Sequence, residues 1–272
     1  MDKKRFGIQA AATLLQNANF KGFFAGRIYT GELKSVCVPG LNCYSCPGAV
    51  GACPIGSLQS FLASRPIRFP YYVVGLLLFF GALLGRAVCG FLCPFGFFQE
   101  LIHKIPFPKK FNRFKGDRLL RKLKYLILVL MLILPLFFAL TPFFCKYVCP
   151  AGTLAGTALA AVDAQVRGIL GGLYGWKFFL LVSFAALSLM IWRPFCKYIC
   201  PLGAIYGLFN RFSIYRNSLD EEKCVSCGAC SSACRMCVNP AESPNHSECI
   251  RCGDCVRVCP TGALKCGFKL KN

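Results

Sequence analysis

The sequence predicts a mainly α-helical integral membrane protein of about four transmembrane helices, followed by a small, cysteine-dense α+β domain. Composition points to the first part. Of 272 residues, 56% are hydrophobic and 16% charged, where soluble domains run near about 50% and about 25%, and mean hydropathy is +0.52. Cysteine points to the second part: the chain has 20, gathered in short-spaced groups that recur. Several classes fall away at once. A disulfide scaffold is small, secreted and poor in long apolar runs. Two histidines leave no membrane haem carried by paired histidines, and no C-x-x-C-H motif exists for a covalent haem. With 26 Phe and long aliphatic runs, no stretch is polar enough for disorder.

Three stretches meet the span rule of roughly 20 mostly apolar residues. They are Tyr71–Val88, interrupted only by Arg86 near its end, Tyr125–Phe144, which has no charge, and Leu173–Trp192, with Lys177 near its start. A lysine there can snorkel to the interface. A further stretch, residues 6–24, carries Gln9, Gln16, Asn17, Asn19 and Lys21. Lys3, Lys4 and Arg5 ahead of it also suit a signal peptide, but amides interrupt the run and no convincing small-residue cleavage site follows. An uncleaved first helix is favoured, its polar side chains turned toward other helices. Between the first two clear spans, residues 103–124 hold nine Lys/Arg against the single Asp117, whereas residues 146–172 hold only Lys146 and Arg167. The positive-inside rule puts the first segment in the cytoplasm and the second outside. Much of the +21 net charge then reflects topology and attraction to anionic lipid; it does not call for a nucleic-acid partner.

From Cys224 the chain turns polar. Cys224, Cys227, Cys230 and Cys234 follow C-x2-C-x2-C-x3-C, and Cys249, Cys252, Cys255 and Cys259 repeat it, the second run ending in Pro260. This is the bacterial two-cluster ferredoxin spacing, in which each run gives three thiolates to one 4Fe-4S cluster and its fourth to the other. The expected sets are Cys224, Cys227, Cys230 and Cys259 on one cluster, and Cys249, Cys252, Cys255 and Cys234 on the other. Gly228 and Gly253 let the backbone approach. Structural zinc is the bland alternative, which two complete copies disfavour. Arg235 stands where the first run would normally have proline, so Cys237 competes with Cys234; Cys266 reads as a free thiol. The domains divide as 1–215, spanning the membrane, and 216–272, a cytoplasmic ferredoxin domain.

Ahead of that domain lies a threefold repeat of C-x3-C-P-x-G, each copy just after an apolar run: CGFLCPFG from Cys89, CKYVCPAG from Cys145 and CKYICPLG from Cys196. A fourth group holds Cys37, Cys43, Cys46 and Cys53. Cysteines four apart share one face of a helical turn, and proline then interrupts the helix. Two facing pairs give four thiolates. Topology matches Cys89 and Cys93 with Cys196 and Cys200 on the inner side. Outside, Cys145 and Cys149 take two of the N-terminal group, with Cys43 and Cys46 or Cys53 leading and Cys37 least favoured. Chance burial of small thiols and outer disulfides are the alternatives to metal ligation.

The repeats, the wording FCKYVCPAG and FCKYICPLG, and the double ferredoxin run resemble the NapH and NosR group of membrane-bound polyferredoxins, from Cys37 to Pro260. The resemblance implies a multi-pass protein of a prokaryotic inner membrane that passes electrons between the quinone pool or cytoplasmic donors and partners outside. Hydrocarbon about 30 Å thick is too wide for one tunnelling step, so four 4Fe-4S clusters, two in the ferredoxin domain and two at the membrane, would divide the path. An oxygen-poor cell is the expected setting. His103 near Glu100 is a thin candidate for a quinol site and for quinol dehydrogenase activity. Two rivals stand beside this reading: an iron–sulfur redox sensor, and a membrane protein handling thiols or metal on the extracytoplasmic side.

Overall fold

The computed structural model describes residues 3–64, 69–108, 110–138, 142–162, 168 and 171–269. The chain opens with α1 (Lys3–Gln16) and α2 (Phe20–Ala25), separated at Asn17–Asn19, so the expected first helix is two short ones. A loop carrying the N-terminal cysteines leads to α3 (Pro54–Ala63). Then come α4 (Tyr71–Leu84), α5 (Ala87–Phe91), α6 (Pro94–His103), α7 (Asp117–Leu120), α8 (Leu123–Phe138), a π turn at Phe144–Val148 and α9 (Pro150–Val162). The helical part closes with α10 (Gly172–Met190), α11 (Pro194–Tyr198) and α12 (Pro201–Phe209). Against α8 pack α3 and α12, which also touch α4; α10 lies on α6 and α9, and α1 on α5 and α6.

Among the described residues, one helix is long and apolar enough to cross a membrane, α10. The 14 residues of α4 reach about 21 Å at 1.5 Å per residue, and α8 carries Pro135 inside its last turns. Residues 139–141 of the expected second span, and Arg167, lie outside the described residues. The expected first span does not run unbroken to Val88, and Gly85 is the reason. Its φ of 54° favours glycine, and a Cβ there would sit 2.7 Å from Asn210 Oδ1 and 2.9 Å from Arg251 Nη1. The helix stops at Leu84, and Arg86 begins a new direction that delivers Cys89 into the core.

The C-terminal part pairs β1 (Tyr215–Leu219) with β2 (Leu264–Phe268) in an antiparallel ribbon, Tyr215 opposite Phe268 and Asn217 opposite Cys266. Two one-turn helices, α13 (Ala229–Ala233) and α14 (Asp254–Arg257), follow the two cysteine runs and pack on each other. The basic loop before α8 lies against this part: Arg113 donates to the Ser231 carbonyl at 3.3 Å, and the Cys237 thiol donates to the Asn112 carbonyl at 3.1 Å.

Candidate functional site

Four helices start in the same way. Cys53, Cys93, Cys149 and Cys200 each have extended backbone, with φ between −86° and −63°, and each is followed by the first proline of a helix, Pro54, Pro94, Pro150 or Pro201. Proline drives the residue before it out of the helical region and fits the first helical position, where no N–H partner is needed. The second cysteine of each C-x3-C-P pair is therefore a helix cap. The first sits in the short element before: α5, the π turn or α11. The two sulfurs do not share one helical turn as the spacing suggested; the proline starts a helix as well as ending one.

Sixteen of the 20 cysteines gather in four groups of four. Cys200 lies within electrostatic reach of Cys196, Cys89 and Cys93, all buried in the core. Cys43, Cys53, Cys145 and Cys149 line a cavity of about 870 Å³. Cys46 is close to Cys43 but outside that lining, and the Cys37 thiol faces Ser57 Oγ at 3.5 Å. Cys224, Cys227, Cys230 and Cys259 line a cavity of about 270 Å³. Cys234, Cys249, Cys252 and Cys255 line a smaller one.

In the last two groups the backbone repeats as the sequence does. Ser226 and Arg251, third in each run, have φ of 51° and 53°, and Gly228 and Gly253 have 74° and 79°. Turns that alternate hands in this way make concavities suited to an anionic centre. Burial pushes the Cys255 thiol up to about 12 and raises Cys249 and Cys234 as well, the opposite of what metal ligation favours. The Leu264 N–H has the opposite effect on the open Cys259 and lowers it.

Zinc with four Zn–S bonds of roughly 2.3 Å would draw its sulfurs to about 3.8 Å of one another. Among the described residues no three Cys, His, Asp or Glu side chains converge in that way.

Around Cys89, Cys93, Cys196 and Cys200 the structure buries charge. Glu100 takes Arg5 at 2.8 Å and Arg193 at 2.6 Å. Glu248 takes Arg86 at 2.7 Å and also Lys124. Asp117 takes Lys197 at 2.6 Å and also Arg121. Each carboxylate thus faces two cations, and three positive charges stay uncompensated. Arg86 and Arg193 lie within reach of the thiols, and Gln99 Nε2 donates to Cys196 Sγ at 3.0 Å. Buried cations need a partner, and a cluster with four thiolates is a buried anion. The hydropathy of the spans hid these residues, but a signal exists. The first and third copies read R-x-x-C, Arg86 before Cys89 and Arg193 before Cys196, and the second has Pro142 at that place.

The groups abut. A Cβ on Gly90 would come within 2.4 Å of the Ile250 carbonyl, so the loop bearing Cys249 and Cys252 rests on the helix bearing Cys89. Asn210 Nδ2 donates to the Cys249 carbonyl at 2.7 Å while its Oδ1 accepts from the Arg86 N–H at 2.9 Å. On the other side a Cβ on Gly40 would lie 2.9 Å from Cys93 Cα. Buried Tyr206 donates to the Pro39 carbonyl at 3.0 Å and lies within electrostatic reach of Cys53, Cys89, Cys93 and Cys200. His103 and Glu100 are occupied: the imidazole Nδ1 faces the Ser188 carbonyl at 2.8 Å, and Glu100 is held by its two arginines.

Comparison with known families finds a 4Fe-4S binding domain over residues 69–114, 123–160 and 174–216, and a second over 218–236 and 243–265. The chain is thus an iron–sulfur protein of ferredoxin type. It belongs to the NapH/NosR-type polyferredoxin family. It is similar to the uncharacterized protein MJ0749 of Methanocaldococcus jannaschii, 30% identical over 221 residues, 80% of this chain and 79% of that one. The methylamine utilization ferredoxin-type protein MauN of Paracoccus denitrificans is 35% identical over 65% of this chain and 58% of its own length. The ferredoxin-type protein NapH of Haemophilus influenzae is 27% identical over 64% of this chain and 56% of its own. No solved structure matches.

Proposed function

We propose that this chain conducts electrons across a prokaryotic inner membrane through four 4Fe-4S clusters, one in each group of four cysteines, with residues 216–272 as a cytoplasmic ferredoxin domain. It would link the quinone pool or cytoplasmic donors to a redox partner outside. The observation that carries this is contiguity: Tyr206 and Gly40 join the outer group to the inner one, and Gly90 against Ile250 joins the inner group to the ferredoxin domain. A bound 4Fe-4S cluster supplies a one-electron couple tuned by charge, hydrogen bonds to sulfur and burial. The chain's own residues do the rest. Prolines fix the capping cysteines, the cation surplus offsets cluster charge, and the Gln99 amide reaches a ligand sulfur.

The membrane reading draws support from the outward faces of α4, α8 and α10, where Phe79, Leu126, Phe137, Trp176 and Phe179 are exposed. Exposed apolar area of this extent is unusual for a soluble monomer. The basic loop and the ferredoxin domain share one side, as a common cytoplasmic location requires. The test is iron and acid-labile sulfide per chain after anaerobic purification. About 16 irons are expected; about 8 would leave the membrane groups without clusters and end the proposal in this form.

A further inference from the structure

We propose that the cleft between the basic loop and the ferredoxin domain docks an acidic one-electron carrier protein, an inference that rests on the electron-transfer reading above. The cleft measures about 900 Å³. One wall is the loop around α7, with Lys115, Arg118 and Lys122 exposed and, among the described residues, joined by no ion pair. The other wall is ferredoxin. Ser231, Asn239 and Glu242 line both this cleft and the cavity of Cys224, Cys227, Cys230 and Cys259. A partner seated on the cations is thereby brought against the most open of the four cysteine groups, in which Cys227 is exposed. On docking, one electron passes between carrier and chain. One side is oxidised and the other reduced by one electron, and no bond forms or breaks.

The lining decides between occupants. A small-molecule pocket is mostly apolar, with a few fixed polar groups; this cleft is lined mainly by charged and polar side chains, the cations Arg113, Lys115, Arg118, Arg121 and Lys122 outnumbering the carboxylates Asp117, Glu242 and Glu248. Flexible surface cations around an open groove instead steer and orient a protein of opposite charge. Anionic lipid would also attract them, but it needs a face turned to the bilayer, and these side chains line a groove shared with the ferredoxin domain.

The test uses the full chain in detergent with an acidic bacterial ferredoxin as probe, comparing wild type with K115E/R118E/K122E and with K21E, which lies on α2. Wild type should bind with a Kd that rises steeply between about 50 mM and about 300 mM salt. The triple variant should weaken binding by about tenfold or more at unchanged iron content, and K21E should stay within about twofold. Binding by the triple variant within about twofold of wild type overturns the proposal, as does a wild-type Kd indifferent to salt. Parallel measurements with FMN and with phosphatidylglycerol vesicles separate the rivals: if the substitutions release either of those and spare the ferredoxin, the cleft is a nucleotide or lipid site. A shortfall of iron in wild type strikes the electron-transfer reading; a lost salt and charge dependence strikes the docking surface alone.

Discussion

The inner cysteine group and the first ferredoxin group use the same ligand in opposite settings. Cys89, Cys93, Cys196 and Cys200 are all buried, with Arg86 and Arg193 beside them and the Gln99 amide on one sulfur. Cys224, Cys227, Cys230 and Cys259 are partly or fully exposed around an open cavity. Ligand type does not distinguish them; burial and fixed charge do, and those set the potential and accessibility of an iron–sulfur centre. On the electron-transfer reading the open group exchanges electrons with a carrier and the closed group relays them. A buried relay needs its countercharge built in, because water cannot reorganise around it. An exposed group does not.

The sharpest way to break this comparison is to remove ligands from each side. C89S/C196S should lower iron by about four per chain and stop electron transfer to the outer group while the ferredoxin domain still accepts electrons from dithionite. C227S should remove a similar amount of iron and block electron exchange with the carrier without affecting the inner group. C237S should keep the full iron content whereas C234S loses a cluster, since Cys237 bonds to the Asn112 carbonyl and stays outside the Cys249 group. Unchanged iron in C89S/C196S would remove the inner cluster from the molecule.

The next effect concerns the buried charge. E248Q strips Arg86 and Lys124 of their shared carboxylate, and removing one partner of a buried pair costs about 3–5 kcal/mol. Burial alone would raise Glu248, but the Arg86 and Lys124 charges hold it down to about 2, so its contribution is present at any physiological pH. The surface pair Lys223–Asp220, at 2.8 Å, is the control, and D220N should leave the melting temperature where it was. A similarly mild effect of E248Q would mean that the cation surplus around the inner group is not structural.

The sequence reading reached these features unevenly. The ferredoxin runs were legible because all eight cysteines come from two contiguous segments whose spacing encodes the loop. Cys89 and Cys93 were matched with Cys196 and Cys200 from the side expected for each apolar run, and the structure brings these four together. The outer group was not resolved, since a loop without periodicity hides which of its cysteines turn inward. One cue was available: both Cys46 and Cys53 precede a proline, but only Cys53, Pro54 and Gly56 complete the C-P-x-G of the three repeats, and it is Cys53, with Cys43, that lines the cavity with Cys145 and Cys149. Hydropathy made Arg86 a flaw in a span, when it holds Glu248 and the Cys196 carbonyl. It also ran the span past Gly85, where a contact with Asn210, distant in sequence, ends the helix.

Smaller effects test how closely the ferredoxin domain rests on the helical part. G90A places a Cβ against the Ile250 carbonyl, and such overpacking costs about 1–3 kcal/mol. G75A, in α4 with nothing within 4 Å of its added carbon, should gain about 0.5–1 kcal/mol from helix propensity. Thermal melts of both variants give opposite signs if the two parts are seated as described. Equal signs would mean that the contact at Gly90 is loose.

A last change concerns Tyr206, which lies within electrostatic reach of Cys53, Cys89, Cys93 and Cys200. Y206F keeps the ring that fills the space and removes the hydroxyl that donates to the Pro39 carbonyl, a loss of about 1 kcal/mol. If the ring serves as packed medium between the groups, electron transfer through the chain continues at a similar rate in Y206F. It should fall in Y206A, where the ring is lost and the loop from Pro39 to Cys43 loses its support. A Y206F chain that melts lower and also transfers electrons slowly would assign the role to the hydroxyl. The contact with the Pro39 carbonyl, rather than ring packing, would then hold the outer loop in register with Cys93.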